Sequence, residues 1–126
     1  MNLADCSDCT TLPVLDAAWV VRDMGDDLAG YRDVAEFFIE DVQVMRAQIL
    51  ASDAQSCLDM VPVIHEVANS MGVVGAWRGV CAVRAIERRL RSGEVIAAQL
   101  VADEVLQHLD QTVQALRSWL EDAPPT

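Results

Sequence analysis

The chain has 126 residues, enough for one domain with one modest core, and 52% of them are hydrophobic, which excludes a disordered chain. Its formal net charge of −11 opposes binding to nucleic-acid phosphates or to an anionic membrane. No window approaches the roughly 18–20 apolar residues of a membrane span, and Met1-Asn2-Leu3-Ala4-Asp5 lacks the basic region and apolar run of a signal peptide. The expectation is a cytoplasmic protein with protein partners.

Residues 1–13 read as a flexible leader ending at Pro13, residues 14–120 as a helical domain, and residues 121–126 as a tail. Cys6 and Cys9 form a single CxxC in the leader. Without a second pair or a surrounding strand–helix pattern it reads as incidental, while Cys57 and Cys81 read as thiols inside helices. A short first helix is expected from about Leu15 to Met24, with Asp16 as cap and Gly25 as terminator. A second opens after Asp26 and Asp27 and carries Leu28, Tyr31, Ala35, Phe38, Val42, Met45 and Ile49 at alternating three- and four-residue spacing. A third is expected from Ser52 or Asp53 to Val74, where Pro62 marks either a kink or a restart in a first turn. The fourth, from about Ala76 to Arg91, turns Val80, Val83, Ile86 and Leu90 inward. The fifth, from about Glu94 to Leu120, turns in Val101, Val105, Leu109, Val113, Leu116 and Leu120. Short connections make sequential helices antiparallel neighbours. The fold expected is all-α, an antiparallel up-down four-helix bundle with a short additional N-terminal helix.

On the third helix Met60, Ile64, Val67, Met71 and Val74 form the core stripe, and His65 lies about 140° from its centre. The imidazole should therefore face solvent among Leu58, Val61, Ala68, Asn69 and Gly72, a patch of small and apolar groups suited to protein docking. An imidazole that is neutral near pH 7 is a competent nucleophile for phosphoryl transfer, whereas a lone exposed histidine is also an ordinary surface residue.

The run His65-Glu66-Val67-Ala68-Asn69-Ser70-Met71-Gly72-Val73-Val74-Gly75-Ala76 resembles the motif of histidine-containing phosphotransfer (HPt) domains, roughly His-x-Leu-Lys-Gly-Ser-x-x-x-Leu-Gly. His65, Val67, Ser70, Gly72, Val74 and Gly75 carry the match. Glu87 stands where the family often has an acid, and Gly25-Asp26-Asp27 with Tyr31 and Phe38 resembles the family's second-helix entry. The resemblance implies a monomeric phosphocarrier without autokinase activity. It accepts a phosphoryl group from a receiver-domain aspartate on His65 and passes it to another receiver. Response-regulator receivers are the implied partners, with a hybrid sensor kinase as a further one. No cofactor of its own is implied, since the magnesium ion sits on the receiver.

Two positions depart from the family. Ala68 replaces the usual Lys or Arg three residues after the histidine, and Asn69 replaces glycine on the next turn of the same face. Asn69 either obstructs docking or donates to the phosphoryl oxygens. Arg84, Arg88 and Arg91 either replace the missing cation or form a solvated face. These departures support an alternative, a degenerate HPt acting as a receiver-binding adaptor or inhibitor. Two other readings rest on less: a metal-binding bundle, for which Glu104 and His108 supply only half a site, and a helical oligomerisation module.

Overall fold

Apolar spacing of three and four residues gives helices along nearly the whole chain. The computed structural model describes residues 9–52 and 57–123, and among these there are five α-helices, two 3-10 turns and no strand. The helices are α1 (Ala17–Asp23), α2 (Leu28–Ser52), α3 (Val61–Val74), α4 (Trp77–Arg91) and α5 (Ala98–Asp122), and the turns are Cys9–Thr11 and Cys57–Met60. None of the described helices is long and apolar enough to cross a membrane.

The ends follow side-chain chemistry. Asp16 Oδ1 accepts from the Trp19 amide at 3.2 Å and starts α1. Asp27 Oδ1 accepts from the Gly30 amide at 2.8 Å at the head of α2, and the absent Cβ of Gly30 leaves room for that carboxylate. The third helix starts later than its expected Ser52 or Asp53. There α2 runs on to Ser52, the Cys57–Met60 turn follows, and Pro62 occupies the first turn of α3. Pro62 is thus a restart and not a kink, because a first-turn amide has no helical partner to lose. At the other end α5 starts at Ala98 and runs two residues past the expected Leu120.

The expected rows are the core. Tyr31, Ala35, Phe38, Val42, Met45 and Ile49 of α2 are all buried, as are Val83, Ile86 and Leu90 of α4 and Val101, Val105, Leu109 and Leu116 of α5. Val80, Val113 and Leu120 are half-buried at the margin of the same cluster. Each such side chain contributes roughly 1.5–3 kcal/mol when fully buried. α3 packs most closely on α4 and also on α2, while α5 packs on both α2 and α4, so the four longer helices enclose one interior. Tyr31 fixes the register of α2 against α3: its buried hydroxyl donates to the Val74 carbonyl at 2.6 Å, and Trp119 of α5 meets its ring edge-on at 4.8 Å.

Only Gly75 and Ala76 separate α3 from α4. Gly75 has φ +84°, and the amides of Gly75 and Ala76 return to the carbonyls of Gly72 and Met71, a Schellman closure that needs a left-handed residue.

The N-terminal segment departs from the reading as a flexible leader. Cys9 is buried and joined to Cys81 of α4 by a disulfide with Cα atoms 5.5 Å apart. Arg78 donates from Nε to the Leu12 carbonyl at 2.9 Å and from Nη2 to that of Thr10 at 3.2 Å. The Arg78 amide donates to the Pro13 carbonyl, and the Asp16 amide donates to that of Gly75. Residues 9–13 are therefore a strap fixed along α4. Cys9 is a structural partner and not part of an incidental pair, and Cys81 is not a free thiol. Expectations for residues 1–8, Cys6 among them, and for residues 124–126 lie outside the described residues.

Candidate functional site

α3 buries a wider arc than its central stripe. Met60, Val61, Ile64, Val67, Ala68, Met71 and Val74 are all at most 6% exposed. With about 100° per residue, Val61 and Ala68 extend the stripe toward His65, and the neighbour there is α4. This corrects the docking patch: Val61 and Ala68 are core residues, covered because α4 lies against the flank of α3 as well as its inner face. Leu58 is 62% exposed but belongs to the turn before α3, so it does not stand two helical turns below His65. Asn69 is exposed, and Gly72 is half-exposed with room for a Cβ.

His65 sits on the edge of the buried arc, its side chain 40% exposed. Its Nδ1 lies 3.0 and 3.1 Å from the two carboxylate oxygens of Glu87 on α4. The Glu87 side chain is only 9% exposed and also accepts from Arg91 Nε at 2.7 Å. One turn along α3, Asn69 Oδ1 accepts from Arg84 Nη2 at 3.0 Å. Arg84, Glu87, Arg88 and Arg91 recur at three- and four-residue spacing, so one ridge of α4 faces the His65 side of α3. Arg88 is exposed on that ridge.

The electrostatics follow from this geometry. Burial is the largest influence on the Glu87 carboxyl and by itself would raise its pKa. The hydrogen bonds and charges of Arg91 and His65 together outweigh it and hold the group below the usual carboxylate value. An ionised Glu87 accepts a proton-bearing Nδ1–H, which leaves the lone pair of His65 on Nε2, across the ring from the buried carboxylate. The arrangement is an imidazole oriented by a carboxylate that an arginine keeps charged. It suits a nucleophile whose ring becomes cationic on reaction.

Of the residues singled out from sequence, the structure brings His65, Asn69 and Arg84 to one seam, with Gly72 further along α3 and Arg88 on the adjoining ridge, and leaves Leu58, Val61 and Ala68 outside it. The seam also contains Glu87 and Arg91 in closer roles than sequence gave them. Sequence marked Glu87 by its place after the His65 run, and it is also the single acid among the five arginines of α4. His108 and Glu104 approach to 3.8 Å on α5, mostly buried, and among the described residues no group of three or more His, Cys, Asp or Glu could hold a metal ion.

The chain matches no protein-family model, no curated protein and no solved structure.

Proposed function

We propose that this chain is an HPt-type phosphocarrier of a two-component phosphorelay, with α2–α5 as an antiparallel up-down four-helix bundle and α1 as its short addition. The observation that carries this reading is the half-exposed His65 ring with Nδ1 held by a buried carboxylate. In the reaction the Nε2 lone pair attacks the phosphorus of a receiver aspartyl phosphate in line. The N–P bond forms as the P–O bond to the aspartate breaks, and the aspartate leaves as a carboxylate. No proton leaves Nε2. The ring gains positive charge, which Glu87 offsets through Nδ1–H. The reverse step delivers the phosphoryl group to a second receiver. Such transfer is mostly positioning and electrostatics, which a single oriented imidazole can serve.

The burial of Ala68 bears on the missing cation. That position faces the core, and the positive charge near the site comes from α4, where Arg84 already reaches Asn69 and Arg88 stands exposed beside it. Partner docking would use the exposed faces of α3 and α4 around His65, Asn69 and Gly72. The carrier would work as a monomer in the cytoplasm, with the magnesium ion on the receiver.

The test is incubation of the pure protein with a phosphorylated receiver domain and magnesium. Acid-labile label is expected on the wild type and absent from His65→Gln. Receiver binding without label on the wild type would overturn the carrier reading and leave an adaptor, with Asn69 as the obstruction.

A further inference from the structure

Cys9 and Cys81 lie outside the main apolar core. Cys9 is 3% exposed and Cys81 is half-exposed on α4. On the helical wheel of α4, Arg78, Cys81, Ala82 and Ala85 share the flank away from α3. Ala82 and Ala85 are buried there as a small cluster of their own, on the flank where the strap packs. From Ala17 onward the chain is held differently, since Ala17 and Val20 belong to the main core.

We propose that the Cys9–Cys81 bond is a redox-operated latch: exchange with a low-molecular-weight thiol opens it and frees residues 9–13 from α4, while the helical core stays closed. The contacts left after opening decide this outcome. They include three hydrogen bonds between Arg78 and the carbonyls of Thr10, Leu12 and Pro13, at least one of them exposed to water. Solvated hydrogen bonds contribute little net stability, and they do not offset the entropy of ordering five backbone residues. While it is closed, the covalent bond holds Cys9 against α4 and so restrains a strap already tethered at Ala17. Local release of this kind leaves the cooperative unit intact.

The chemistry balances with glutathione as reductant. A glutathione thiolate attacks the more accessible Cys81 sulfur, a mixed disulfide forms, and Cys9 leaves as a thiolate that takes up a proton. A second glutathione thiolate attacks the glutathione sulfur of that adduct. Glutathione disulfide departs with two electrons removed from the thiols, and Cys81 leaves as a thiolate. Glutathione disulfide drives the reverse sequence.

The test uses the full chain carrying Cys6→Ser and Cys57→Ser, so that only Cys9 and Cys81 remain. The protein is equilibrated across ratios of reduced to oxidised glutathione, alkylated, and followed in parallel by amide hydrogen exchange. The expected result is that both thiols become alkylated together as reduced glutathione rises, with protection lost at the Leu12 and Arg78 amides and unchanged across α2, α3, α5 and the rest of α4. Adding Cys9→Ser should reproduce the open pattern in oxidised buffer. Alkylation at every ratio would mean no bond forms and would overturn the latch. So would a bond that survives excess reduced glutathione, faster exchange across the helices beyond Arg78, or failure of the Cys9→Ser chain to fold, since each makes the bond a fixed staple.

Discussion

At the scale of single residues, Glu87 and His108 are two buried-side ionisable groups with opposite demands. Glu87 is held below its usual pKa, so its stabilising contribution is complete above the ordinary carboxylate value of 4.5 and is lost as pH falls through its lowered folded value. Glu87→Gln should flatten the acid limb of a urea-midpoint profile. In the phosphotransfer assay it should slow transfer by about tenfold or more, the scale on which carboxylates that orient a functional histidine act. A variant with unchanged transfer would reduce Glu87 to a structural partner of Arg91. His108 is different: burial lowers its pKa, Glu104 partly opposes this, and Arg78 adds to it. The unfolded chain therefore binds that proton more readily. Stability should be greatest above 6.5 and should decline as pH falls through that value. His108→Gln should remove the decline, measured as the difference between variant and wild-type denaturation midpoints.

At the scale of elements, the junction of α3 and α4 tolerates little change. A Cβ on Gly75 would stand 2.7 Å from Val20 Cγ2 and 2.9 Å from the Asp16 carbonyl oxygen, at a φ of +84°. Gly75→Ala should cost about 1–3 kcal/mol, read by chemical denaturation. The helices and their inner rows were legible because apolar spacing and terminators such as Asp16 and Gly25 act locally. The start of α3 was not, because Leu58, Met60 and Val61 continue an apolar pattern straight through the 3-10 turn that precedes the helix. Val61 and Ala68 were misplaced on a single-helix wheel, which has no knowledge of a neighbour on the flank. The exposure of His65 was legible from its position off the core stripe. Its bond to Glu87, across two helices, and the join of Cys9 to Cys81 are products of the tertiary fold.

At the scale of the whole molecule, charge is unevenly placed. The chain has a net charge of −11, yet α4 alone holds five of its nine basic residues, every one an arginine. Arg89 is engaged by Glu94, and Arg78 holds the strap. Arg84, Arg88 and Arg91 remain along the seam with His65. An acidic partner site approaching His65 should be steered by this ridge. The double variant Arg84→Ala, Arg88→Ala should lower the association rate with a receiver by about tenfold at low ionic strength, and less as salt rises. An unchanged rate would place docking away from α4. The strap has a consequence of another kind, in mechanics. With Cys9 joined to Cys81, tension applied at Cys9 and Asp122 passes directly across the disulfide and never loads α1, α2 or α3. Only the end of α4 and α5 can pay out, about 150 Å of chain, against about 400 Å once the bond is open, at roughly 3.6 Å per residue.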